Sequence, residues 1–171
     1  MPLDTAPIDP DLLTRLGRVV TLWASAESWI SMLLGTLMGA ALGASQQVTA
    51  SMSCATQIKA IRALLSVHAH KEEATRDVVA LLDRADDLRS ERNELVHGIW
   101  NASGRESGTV MVNTVNLDRA EIIRDRLVTI ADLDDLAREI ETWIEDYASL
   151  GAKIGFPRNQ GATLSIFIEQ P

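Results

Sequence analysis

The feature that most restricts this chain is the interval at which its apolar residues return. Leu12, Leu16, Val19, Val20, Trp23, Ile30, Leu34 and Leu37 keep to one side of a wheel turning about 100° per residue, which is helical spacing. The stretch IDPDLL before them supplies a start: Asp9 can cap, Pro10 takes the first helical position, and Ile8 stands where it can staple onto Leu13. A second helix is expected over 54–69, using Ile58, Ile61, Leu64 and Leu65. A third is expected over 72–97, using Val78, Leu81, Leu82, Ala85, Leu88 and Leu95, with Gly98 as its stop. A fourth, over 132–153, carries Leu133, Leu136, Ile140, Ile144 and Tyr147 on one face. Its outer face holds Asp134, Asp135, Glu139, Glu141, Glu145 and Asp146, which reads as a solvated surface.

Between the third and fourth helices the period falls to two. TVMVNTV (109–115) alternates like a strand, and RLVTI (126–130) can pair with it. The tail 155–171 reads as irregular, with one short apolar run that could dock on the body. The expectation is an all-α chain forming one domain over 1–171: an antiparallel four-helix bundle with a small β-hairpin between helices 3 and 4.

Charge narrows the partners. Lys and Arg number 16 against 24 Asp and Glu, a net charge of −8, which disfavours broad electrostatic binding of a polyanion but leaves room for a local phosphate site. The single cysteine, Cys54, fits a reducing, cytoplasmic setting, and MPLDTAPIDPD carries acids where a signal peptide needs basic residues.

No charged residue stands between Glu27 and Lys59, and WISMLLGTLMGAALGA (29–44) is almost wholly apolar or small. It is shorter than the roughly 20 residues a bilayer requires, so it is expected to be the buried end of a helix and not a membrane span. Gly35, Gly39 and Gly43 recur every fourth residue in it. If the helix continues, they form a stripe where a second copy can approach closely; if it ends near Gly39, they open a loop.

Two charges fall on the wrong faces. Arg92 lies in the sector of Val78, Leu81, Ala85, Leu88 and Ile99, and Glu27 lies between Trp23 and Ile30 on the apolar stripe of the first helix. An unpaired buried charge costs several kcal/mol, so the two are expected to meet as an ion pair, which on residues alone can be a structural bridge fixing helix register. Asn93 and His97, four apart, share a face one turn from each other. Two readings of this edge are open: a capping histidine beside a snorkelling arginine, or an imidazole handling protons beside a bound phosphate.

Arg92-Asn93-x-x-x-His97 resembles the arginine–four residues–histidine signature of the HEPN superfamily, in which asparagine commonly follows the arginine. The motif on a late helix and an acid on the first long helix are similar to that pattern over roughly residues 10 to 150. The resemblance implies a HEPN-like bundle, a homodimer that brings two motifs together, and a metal-independent endoribonuclease without cofactor, of toxin or defence type. Other members keep the fold without activity, as helical modules for dimerisation or for binding a partner or nucleotide. In the active reading His97 is general base or acid for 2′-OH attack giving a 2′,3′-cyclic phosphate. Arg92 stabilises the phosphate charge, Asn93 orients the phosphate or His97, and Glu27 holds Arg92. An antitoxin or a modifying nucleotidyltransferase is the implied partner, but the tyrosine such a transferase modifies corresponds here to Ile99. Trp100 is expected in the core or an interface more than on a base, His68 and His70 at the surface more than on a metal, and Arg119, Arg124 and Arg126 as solvated charge more than as an RNA collector.

Overall fold

The structure is a computed structural model describing residues 7–40, 42–68, 72–102, 106–116 and 121–154. In chain order the elements are α1 (Pro10–Leu37), α2 (Leu42–Thr49), α3 (Cys54–His68), α4 (Glu72–His97), β1 (Ile99–Asn101), β2 (Thr109–Asn116), β3 (Glu121–Thr129) and α5 (Ile130–Ile154). The protein is therefore mostly helical with one three-stranded antiparallel sheet of order β1-β2-β3. By its contacts the chain divides into two compact units, residues 7–23 with 87–141 and residues 24–86 with 142–154 among those described.

Helix starts follow local chemistry. The Asp11 amide donates to Asp9 Oδ1 at 2.9 Å, so Asp9 caps α1. The Thr56 amide donates to Ser53 Oγ at 3.2 Å ahead of α3. For α5, the Asp132 amide donates to Thr129 Oγ1 at 3.2 Å while the Thr129 amide donates to Asp132 Oδ2 at 2.8 Å. This reciprocal box starts α5 two residues earlier than the apolar period alone indicates.

In the first unit, Leu12, Val19, Trp23, Leu88, Leu95, Leu133, Leu136 and Ile140 are buried together with Val110, Val112 and Val128 of the sheet. The pairings Trp100↔Val112↔Arg126 and Val110↔Val128 put these residues on one sheet face. Ile99 and Leu127, on the other face, are 58% and 49% exposed. Asp9 also reaches the β1–β2 connection, where its Oδ2 accepts from Ser107 Oγ at 2.7 Å and from the Gly108 amide at 2.9 Å. The acidic face expected of α5 is partly neutralised here: Arg15 meets Asp134 at 3.0 Å, and Arg18 meets Glu141 at 2.7 Å.

In the second unit the buried set is Ile30, Leu33, Leu34, Ile58, Ile61, Leu65, Val78, Leu81, Leu82, Trp143 and Tyr147. Trp143 Nε1 donates to the Leu81 carbonyl at 2.8 Å, and Tyr147 lies 5.5 Å from Trp29 and 5.6 Å from Trp143 between ring centroids. Burial pushes the Tyr147 phenol well above its ordinary range. Gln57 is buried and saturated: it accepts from Ser31 Oγ and donates to the carbonyls of Thr49 and Met52.

The glycine stripe expected on a continuing α1 does not form. The Gly39 amide bonds the Thr36 carbonyl, the Ala40 amide bonds the Gly35 carbonyl, and Gly39 has φ of +64°. That is a Schellman stop, which glycine favours because it carries no Cβ. Gly35 serves α2 of its own chain instead, since a Cβ there would stand 2.5 Å from Ser45 Cβ, and nothing lies within 4 Å of a Cβ at Gly43. Among the described residues no helix is long and apolar enough to cross a membrane. The expectation for the tail 155–171 falls outside the described residues.

Candidate functional site

The last two turns of α4 position every motif residue. Laid out at about 100° per residue, Glu91, Glu94, Leu95 and Gly98 share one side, Arg92 turns toward the apolar sector, and Asn93 and His97 share a third. α4 ends at His97, where the sequence indicates, but for a different reason than a left-handed cap. Gly98 lacks a positive φ, and a Cβ on it would lie 2.3 Å from Val112 Cγ1 and 2.6 Å from the Glu94 carbonyl oxygen. Glycine is required here so that β2 can pass against the helix end. The chain then enters β1 at once, and half-buried Trp100 turns its indole N–H to the Leu95 carbonyl at 2.7 Å. Trp100 thus belongs to the packing of the first unit.

Arg92 is half-buried. Its Nη1 donates to Asn93 Oδ1 at 2.9 Å, while its Nε is buried without a hydrogen-bond acceptor. Among the described residues no carboxylate lies within ion-pair distance of it. A guanidinium can only donate, so Asn93 presents its oxygen to Arg92 and keeps its NH2 free to donate elsewhere. His97 is exposed, in the last turn of α4 and one turn after Asn93.

Glu27 is half-buried on α1 in the second unit, whereas Arg92 belongs to the first. Among the described residues Glu27 makes no ion pair within its own unit. One physical reason is that half-exposure lets water solvate a carboxylate which the wheel alone places inside.

The sequence reading missed what surrounds the motif. Arg126 Nη2 meets Glu91 Oε1 at 2.7 Å, and Arg124 Nη1 meets Glu94 Oε1 at 2.6 Å. Arg124 and Arg126, which read as solvated charge or an RNA collector, bind the motif helix instead, and Arg119 lies outside the described residues. A signal was present: Arg124 and Arg126 alternate on a strand and Glu91 and Glu94 stand three apart on a helix, so each pair presents one row of charge. Matching the rows requires knowing that β3 lies over α4.

A half-buried cation with an orphaned donor, an amide donor and an exposed imidazole along one helix edge can together receive an oxyanion and exchange a proton with it. Among the described residues no three His, Cys, Asp or Glu side chains are grouped to hold a metal ion. No family model, curated protein or solved structure matches this chain.

Proposed function

We propose that this chain is a metal-independent endoribonuclease of the HEPN type, built on an antiparallel helical bundle. One observation carries the reading. Arg92 is a half-buried cation whose Nε lacks an acceptor, and it is tied to Asn93 one turn before an exposed His97. An orphaned buried donor costs about 1–3 kcal/mol, more when charged, and a phosphate oxygen would satisfy it. In the reaction, one imidazole takes the proton of a ribose 2′-OH as that oxygen bonds to the adjacent phosphorus. The bond to the 5′-oxygen breaks, an acid returns a proton to it, and a 2′,3′-cyclic phosphate remains. Arg92 stabilises charge on the non-bridging oxygens and Asn93 orients them. Glu27 takes no part in the observation that carries this mechanism.

Each motif supplies one imidazole, and base and acid are two roles, so a homodimer placing two motifs at one cleft completes the set. Sedimentation equilibrium is expected to give twice 18.7 kDa at micromolar concentration, and a mass of 18.7 kDa throughout removes the dimer. Cleavage of single-stranded RNA should resist EDTA and disappear in His97→Ala, with the thermal melt nearly unchanged because His97 is exposed. Equal cleavage by the wild type and the variant would identify a contaminating nuclease and remove the enzyme reading.

A second reading has its own support. Net charge is −8, and Arg124 and Arg126 are already committed to carboxylates. Both facts favour a non-catalytic HEPN-like module that binds a partner, and a dimer that neither binds nor cleaves RNA would favour it.

A further inference from the structure

Residues 91–97 carry the carboxylates Glu91 and Glu94 against the single guanidinium of Arg92, a net charge of −1 with His97 neutral. Glu94 precedes His97 by three residues on α4, so the two are surface neighbours. A phosphate arriving at this edge would meet repulsion first. The strand changes that sum. Arg124 and Arg126 bring two positive charges to Glu94 and Glu91 at 2.6 and 2.7 Å, so the cluster becomes net +1. Their alternation on β3 points both at α4, and the close passage of β2 at Gly98 fixes the sheet against the helix end.

We infer that Arg124 and Arg126 are positioning residues for an anion at the Arg92–Asn93–His97 edge: they hold Glu94 and Glu91 against the sheet and cancel their charge, so that a phosphodiester can approach. They act through the carboxylates and do not touch the anion. The inference rests on the nucleic-acid reading of the site and adds to it a reason why the sheet is packed on this helix end. It also accounts for a polyanion site in an acidic chain, because neutralisation within about 8–10 Å matters more than net charge once salt screens the rest.

The test is a charge cycle read by fluorescence anisotropy, using a labelled, mixed-sequence single-stranded RNA at low ionic strength. One uncompensated carboxylate about 8 Å from a phosphate, at an effective dielectric between that of a protein surface and water, weakens binding about fourfold, and two weaken it about tenfold or more. R124Q/R126Q is therefore expected to bind about tenfold more weakly than wild type. Adding E91Q/E94Q removes the repulsion along with its cure, so the quadruple variant should return to within about twofold of wild type. A quadruple variant as weak as R124Q/R126Q overturns the inference, because the arginines would then contact RNA or hold the site's shape. Unchanged binding by R124Q/R126Q overturns it as well. If R124Q/R126Q fails to melt cooperatively, R124Q against R124Q/E94Q gives the same comparison at the more exposed pair. R92Q separates the two claims. Wild-type binding that R92Q leaves intact, or no wild-type binding at all, removes the site reading and this inference with it. Binding lost in R92Q but not recovered in the quadruple variant removes the inference alone.

Discussion

Residues 24–86 with 142–154 hold their helices mainly by apolar shape: Tyr147 packs against both Trp29 and Trp143, and Leu33, Leu34, Ile58, Ile61, Leu65 and Leu82 fill the interior. Directed polar contacts are present there too, at Gln57, Arg62–Asp83 and Arg84–Asp146, but residues 7–23 with 87–141 rely on them more heavily. Asp9 reaches Ser107 and Gly108, Arg15 and Arg18 reach α5, and Arg124 and Arg126 reach α4. An apolar interior fixes volume and tolerates rearrangement, whereas paired charges and hydrogen bonds fix register. A sheet laid on a helix end needs register, because a one-residue slip would turn Val110, Val112 and Val128 outward. Against this background Arg92 stands out. Arg15, Arg18, Arg124, Arg126 and Arg138 of the same unit each meet a carboxylate, and Arg92 meets an amide.

Glycine offers the sharpest way to break the comparison, since each unit has one where a Cβ would clash. At Gly98 the Cβ would lie 2.3 Å from Val112 Cγ1 and 2.6 Å from the Glu94 carbonyl, below the 3.0 Å that real Cβ atoms respect. A backbone carbonyl cannot step aside, so Gly98→Ala should destabilise by about 3 kcal/mol in denaturant unfolding, and Val112→Ala should not restore it. At Gly35 the obstacles are Ser45 Cβ and Oγ at 2.5 and 2.6 Å, with Ser45 Cα at 3.9 Å. Gly35→Ala should cost about 1–2 kcal/mol, the clash being offset by alanine's helix propensity, and Ser45→Gly should return the double variant to within about 1 kcal/mol of wild type. Rescue of Gly98→Ala by the valine change, or failure of rescue at Gly35, would show that the units do not differ in this way.

Legibility in the sequence divides along the same line. α3 and α4 begin at Cys54 and Glu72, as their apolar period indicates, and α4 ends at His97, because period and caps are local properties. α2 was not legible: LGASQQVT has neither a strong period nor a strong cap, and Gly35 and Ser45 show that close packing positions it. β1 was missed because three residues are too few to show alternation; only pairing with β2 makes Ile99–Asn101 a strand. Of the candidate site, Arg92 beside Asn93 and an exposed His97 could be placed from the helix wheel alone. The arginines over Glu91 and Glu94 could not, since they lie 30 or more residues away and tertiary pairing brings them there. The acidic face of α5 shows the same limit, for Asp134, Glu141 and Asp146 each meet an arginine from another helix.

The smallest expected effect sharpens the polar side of the comparison through pH. The Asp9 carboxylate is held below its ordinary 3.8, chiefly by the Ser107 hydroxyl, then by the Asp11 and Gly108 amides, with partial burial acting against them. Asp132 is held low in the same unit, chiefly by the Thr129 hydroxyl. A carboxylate whose pKa is depressed on folding stabilises fully above its unfolded value and loses that contribution as pH falls through the folded one. The window for Asp9 therefore opens at 3.8 and extends downward. Asp9→Asn separates its two tasks. Asparagine caps a helix about as well, so the bond from the Asp11 amide to a side-chain oxygen survives. Its NH2, however, would face the Gly108 N–H, a donor against a donor, so that bond to the β1–β2 connection is lost, while Ser107 Oγ can only turn from donor to acceptor. Thermal melts should show the variant below wild type at neutral pH, by less than either glycine change. The gap should close as pH drops below 3.8, because the wild-type carboxylate is then being protonated too. A gap that stays constant down to about pH 2.5 would mean that shape and not charge holds this connection, and the first unit would then resemble the second more closely than its hydrogen bonds suggest.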